Sequence, residues 1–150
     1  MEKLCPSAQP DMQNCRVLGV VQSPGTMVYL NQILPATREV LAMAAPAQPT
    51  EIFRLAATCE ESKCSHFDGK DCRLATRIVA GLPEVVDALP PCIIRHECRW
   101  YSQEGGAACR RCPQVTTVNY DATAELRQIA GVEPNHTPVP SIATAGTIQR

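Results

Sequence analysis

The hydrophobic positions of the chain come in short runs separated by turn residues. Arg16–Gln22 (RVLGVVQ) is rich in Val and Leu, Ser23-Pro24-Gly25 is a turn signal, and Thr26–Asn31 (TMVYLN) is β-branched and aromatic again. Two such runs about a Pro-Gly turn predict a β-hairpin. The period then changes. Ala36, Val40, Leu41 and Ala44 share one helical face and Pro35 suits a first turn, so a helix is expected from Pro35 to about Ala45, stopped by Pro46 and Pro49. The next run is too short for its period to decide between a helix over Glu51–Ala57, capped by Thr50, and a strand over Ile52–Thr58. Asp71 is placed to cap a helix over Cys72–Leu82 with Leu74, Ile78, Val79 and Leu82 inward. Pro83 opens a short turn or helix (PEVVDAL) that Pro90-Pro91 ends. From Cys92 to Cys112 mostly loop is expected, with a helical turn around Ile93–Trp100 and a tight bend at Gly105-Gly106. Val115–Asn119 reads as a short strand. Asp121 caps a last helix, Ala122–Ala130, which Gly131 closes.

These elements make a small α+β single domain: an N-terminal β-hairpin, short helices and loops pinned by metal. Residues 1–14 read as a flexible lead-in, 15–131 as the domain, and 132–150 as a disordered tail, rich in proline and poor in apolar residues. Aromatic content is only 4%, which leaves the core to Leu, Val, Ile and Ala, and a chain so composed often needs a staple. The net charge of -1 offers no field to draw in nucleic acid, which is not expected as a partner. No segment approaches 18 continuous apolar residues and the N-terminus does not read as a secretory signal. A cytoplasmic, reducing setting is expected, without a membrane span.

The staple is legible in the cysteines. Seven of the nine lie between Cys59 and Cys112, with four, seven, nineteen, five, ten and two residues between successive members. Odd counts and a reducing compartment argue against disulfides. Zinc sites favour two close Cys-x₂₋₄-Cys pairs, and only Cys109–Cys112 has that spacing, with Cys59–Cys64 at the outer limit. An iron–sulfur cluster is larger and accepts ligands from separate loops, so wide, uneven spacing favours iron–sulfur over zinc. Cys72, at the start of a predicted helix, gains from the N-terminal partial charge. Phe67, Ile93, Ile94, Trp100 and Tyr101 would keep water from the ligands.

Cys109-x-x-Cys112-Pro113 resembles the end of the ligand run in bacterial two-cluster ferredoxins, although the full C-x₂-C-x₂-C-x₃-C-P run is absent. That resemblance implies the chemistry of a small bacterial iron–sulfur protein, not the ferredoxin fold. The expected cofactor is one or two [4Fe-4S] clusters held by Cys59, Cys64, Cys72, Cys92, Cys98, Cys109 and Cys112. Seven thiols plus one histidine would serve two clusters. His66, two residues after Cys64, is preferred over His96, and Cys5 and Cys15 read as spare thiols. A dithiol oxidoreductase at Cys109-x-x-Cys112 fits poorly, because two arginines separate the thiols and a proline follows them. Arg95, Arg99, Arg110 and Arg111 would offset the charge of a thiolate-ligated cluster or form a docking patch for an acidic redox partner protein. No Gly-rich phosphate loop, metalloprotease motif or nucleophile elbow is present, so an electron carrier or redox sensor is expected before an enzyme. A zinc-stapled interaction module is the alternative.

Overall fold

The computed structural model describes residues 2–23, 25–117 and 124–130. The expected hairpin is formed by β2 (Arg16–Ser23) and β3 (Thr26–Pro35), which pair antiparallel. Gly25 at its tip has φ +83°, a conformation that costs glycine least. The pairing is irregular between Val17 and Gly19. There a Cβ on residue 19 would stand 2.6 Å from the Val28 carbonyl oxygen, so only glycine lets β3 come this close.

The ambiguous run resolves as a single-turn helix, α2 (Pro49–Ile52), followed by β4 (Phe53–Thr58). Strand wins because β4 lies in the middle of the sheet, where Phe53 to Ala57 are all buried. Such a strand reads as a continuous apolar run rather than an alternation. A further strand, β1 (Leu4–Cys5), pairs antiparallel with β4 and gives the sheet order β1-β4-β2-β3. The segment expected as a loose lead-in is therefore part of the packed domain. Leu4, Pro6, Ser7, Ala8, Gln9 and Met12 are buried, and the Ala8 N–H donates to the Leu55 carbonyl at 3.0 Å.

Alternation along the strands sorts two cores onto the two faces of the sheet. Val17, Phe53, Leu55 and Ala57 meet Ala8, Met12 and Ala44 on one face. On the other, Leu18, Met27 and Ala56 meet Leu74, Ala75, Ile78, Ile94, Trp100 and Val115. The first face is covered by α1 (Arg38–Ala42), shorter than expected because Leu34 and Pro35 stay in β3 and the Thr37 hydroxyl caps the helix from the Val40 N–H at 3.2 Å. The second face carries the cysteine-rich segment: α3 (Arg73–Gly81), α4 (Arg99–Glu104), α5 (Gly106–Cys109) and single 3₁₀ turns at Glu61–Lys63, Arg95–Glu97 and Cys112–Gln114.

Several local expectations change. The cap of α3 is Cys72, not Asp71. Gln103 clamps that residue, accepting its N–H at 2.7 Å and donating to its carbonyl at 2.8 Å. No helix forms over PEVVDAL. The chain there is a strap held by the Val85 N–H to the Arg110 carbonyl at 2.9 Å, by Arg111 to the Leu82 carbonyl and by Gln114 to the Pro83 carbonyl. Gly105 makes the expected bend, with φ +69° and ψ −153°. Residues 115–117 are not strand, because the Val115 carbonyl is turned to a buried arginine. The last helix, α6 (Ala124–Ala130), packs on α3, where Arg77 donates to the Ile129 carbonyl at 2.6 Å. Its expected cap Asp121, Gly131, Pro24 and the expected tail lie outside the described residues. No described helix is long and apolar enough to cross a membrane.

Candidate metal centres

Two recesses hold eight of the nine cysteines, four in each. The first opens at the β1 edge of the sheet and encloses about 490 Å³, its mouth included. Its sulfurs are Cys5 at the end of β1, Cys59 just past β4, Cys64 after the 3₁₀ turn and Cys72 at the start of α3. Strand pairing brings the first two together: Cys5 lies opposite Ala57 in the register, and the Cys59 N–H donates to the Lys3 carbonyl at 2.9 Å. The second recess, about 300 Å³ with its mouth included, has Cys92 after the Pro90-Pro91 pair, Cys98 at the start of α4, Cys109 at the end of α5 and Cys112 in the following 3₁₀ turn. Trp100, 2% exposed, lines both recesses and is their common wall.

The seven predicted cysteines thus divide three and four, and Cys5, read from the sequence as a spare thiol, makes the smaller set four. Burial raises the Cys5 thiol far above its usual range, and the neighbouring Cys72, Cys59 and Cys64 add to the rise. In the other set burial pushes Cys98 up to about 12, with Cys112 and Cys92 contributing. Burial also raises Cys72, Cys92 and Cys109. Backbone N–H groups oppose it: Leu74 and Ala75 at Cys72, Ile94 at Cys92, Trp100 and Tyr101 at Cys98. These amides are directed at sulfur, the arrangement that would steady thiolate ligands. Cys15 stands apart, its sulfur 3.7 Å from the Gln9 carbonyl, and burial lifts it to about 11.

His66 is in the wall of the first recess, but its Nδ1 accepts from Arg77 at 2.9 Å. A neutral imidazole with Nδ1 accepting carries its proton on Nε2, and a protonated nitrogen does not ligate. His96 is exposed and meets Tyr101 edge-on. Neither histidine is needed to complete a set of four.

Sequence reasoning also missed Arg54. It projects from β4 on the side of Ala56, toward the cysteines, and its exposure is 0%. Its donors are fully engaged: Nε and Nη2 on the Pro6 carbonyl at 3.2 and 2.8 Å, and Nη1 on the Cys112 and Val115 carbonyls at 2.6 and 3.0 Å. Nη2 also donates to Cys112 Sγ at 3.2 Å. Among the described residues no carboxylate pairs with it. Burial would lower its pKa, but Cys112 and Tyr29 raise it on balance, so the guanidinium stays charged. A lone buried cation costs several kcal/mol unless an anion compensates it. The side-chain atom that Arg54 Nη2 meets is the sulfur of Cys112. The signal was a single charge inside the apolar run FRLAA.

The four arginines expected to offset cluster charge or to form a docking patch hold loops. Arg99 pairs with Glu61 at 2.6 Å and lies over Phe67, Arg110 and Arg111 reach Glu84 at 3.0 and 3.5 Å, and Arg95 bonds the Pro90 carbonyl and covers Tyr101. Among the described residues no group of three His, Cys, Asp or Glu side chains stands close enough to hold a single metal ion. The four cysteines of each recess line one common space. All nine cysteines are free of disulfides. No family model, curated protein or solved structure matches this chain.

Proposed function

We propose that the chain is an iron–sulfur protein carrying two [4Fe-4S] clusters, one per recess, and that it transfers electrons to and from a redox partner protein in a reducing compartment such as the cytoplasm. The observation that carries this reading is the division of eight cysteines into two sets of four, each around its own recess. Four thiolates are the usual complement of one such cluster. A cluster of this kind supplies single-electron acceptance and release. The protein's part is to fix the sulfurs, exclude water and supply charge. Cys72 and Cys98 are fixed where helices begin, Phe67, Trp100 and Tyr101 wall off solvent, and Arg54 meets the negative charge of thiolate ligation from inside the sheet. The buried cation without a carboxylate fits such a group.

A structural zinc site is closed by its own ligands. With Zn–S near 2.3 Å its sulfurs stand about 3.8 Å apart and leave no recess. That no three His, Cys, Asp or Glu side chains among the described residues stand close enough for a single ion supports the larger cofactor. The test is anaerobic reconstitution followed by metal and acid-labile sulfide analysis. About eight iron and eight sulfide per chain, with a brown colour, are expected for two four-iron clusters. A colourless protein holding stoichiometric zinc would overturn the proposal.

A further inference from the structure

The two recesses are built alike in sulfur but not in charge. The second has Arg54 bonded to Cys112 Sγ with no carboxylate to offset it, and Arg95 set against Cys109. A third polar group lies near Cys112: the Tyr29 hydroxyl, buried and without a hydrogen-bond partner. In the first recess Arg77 is bonded to the His66 ring and the Ile129 carbonyl rather than to a sulfur; the cation at a sulfur is Arg99 at Cys59, but Glu61 binds its guanidinium at 2.6 Å and Glu60 lines the wall. Its field is largely cancelled where it acts.

Resting on the two-cluster reading, we infer that the site of Cys92, Cys98, Cys109 and Cys112 has the higher reduction potential, with Arg54 and Tyr29 as the residues that set it, so that the first electron to enter the chain resides there. Reduction adds one negative charge to a cluster and breaks no bond. A nearby uncompensated cation, and hydrogen bonds to ligand sulfur, stabilise that added charge and raise the potential. Burial of Cys98 and Cys112 works the other way, because a dry site resists extra charge. Contact decides the balance: the same low dielectric that penalises the charge also strengthens its attraction to a guanidinium 3.2 Å from the sulfur. Trp100, shared by both recesses, places the two sites next to each other, so the difference in potential orders them as donor and acceptor within one chain.

The test is a dithionite titration, followed by electron paramagnetic resonance, on anaerobically reconstituted protein. The Cys5→Ala chain, which keeps only the second site, is expected to retain the higher of two couples. Arg54→Gln is expected to lower that couple at least tenfold in reduction equilibrium, about 59 mV for one electron. The lower couple should stay in place. Iron content and melting temperature report whether Arg54→Gln folds. If it does not, Tyr29→Phe, which removes one hydroxyl at a half-buried position, decides, with a smaller shift in the same direction. Retention of the lower couple in Cys5→Ala, or a higher couple unmoved by the folded variants, would overturn the inference while leaving two clusters in place. Zinc, or no iron, in the wild-type chain would overturn the two-cluster reading and this inference with it.

Discussion

Cys5 and Cys15 look equivalent in the sequence, both in the polar N-terminal stretch, and the structure assigns them opposite fates. Cys5→Ala removes one of four sulfurs from the first recess, whereas Cys15→Ala removes a thiol that faces neither. In the metal-free chain each substitution deletes a single partly buried sulfur, about 1 kcal/mol or less. That is about 4 °C in melting temperature for a domain of this size. Metal content should separate them. Wild type and Cys15→Ala should bind about eight iron, and Cys5→Ala about four, since the second set of thiols is untouched. His66→Ala should keep all eight, because Cys5 rather than His66 completes the first set. Metal binding contributes to the fold, so the loaded Cys5→Ala chain should also melt lower than loaded Cys15→Ala by more than the metal-free pair differ. The assay is iron and sulfide per chain after anaerobic reconstitution, beside thermal melting with and without metal. Full iron in Cys5→Ala, or half in Cys15→Ala, would refute the placement of β1 against the recess. Half in His66→Ala would restore the histidine as a ligand.

Two further outcomes are expected. Alkylation of the loaded protein should label one cysteine per chain, Cys15, and peptide mapping checks it. Burial holds that thiol protonated up to about 11, so its labelling rate should keep rising through pH 9 to 10, where an exposed thiol has levelled off. In stability the sign is the reverse: the unfolded chain loses this proton first, so Cys15 favours the fold below about pH 8.5 and progressively less up to about 11. Trp100 is the only tryptophan and lines both recesses, so its emission should be quenched on reconstitution and recover on acid removal of the metal. Emission indifferent to loading would show that the ring does not border a loaded site.

How far the sequence could be read depended on how local each cause was. The hairpin was legible because a Pro-Gly turn between two β-forming runs is a self-contained signal. The helix after Cys72 was legible because Leu74, Ile78 and Val79 keep one period. The strap over 83–91 was not, since its backbone partner is the Arg110 carbonyl, a tertiary contact that overrides a weak helical preference. Seven thiols announced themselves by crowding, and their division into two sets did not, because it follows from which loops the sheet and α4 bring together. Cys5 was hidden for the same reason. Nothing near it in sequence marks it, and its membership comes from the pairing of Leu4 with Thr58. Arg54 left a local trace, a charge in an apolar strand, whose meaning required knowing which face of the sheet it occupied.

The two-residue strand at the sheet edge has a consequence for how the chain tolerates insertion and deletion. Side chains alternate across a strand, so a slip of one position in the Leu4–Thr58, Cys5–Ala57 alignment would turn residue 5 to the wrong side and offer leucine or proline in its stead. Residue 8 is pinned by its own bond to Leu55, which leaves only Pro6 and Ser7 to absorb a length error between the two anchors. A single residue inserted there should therefore act like loss of the sulfur itself, although every cysteine would still be encoded.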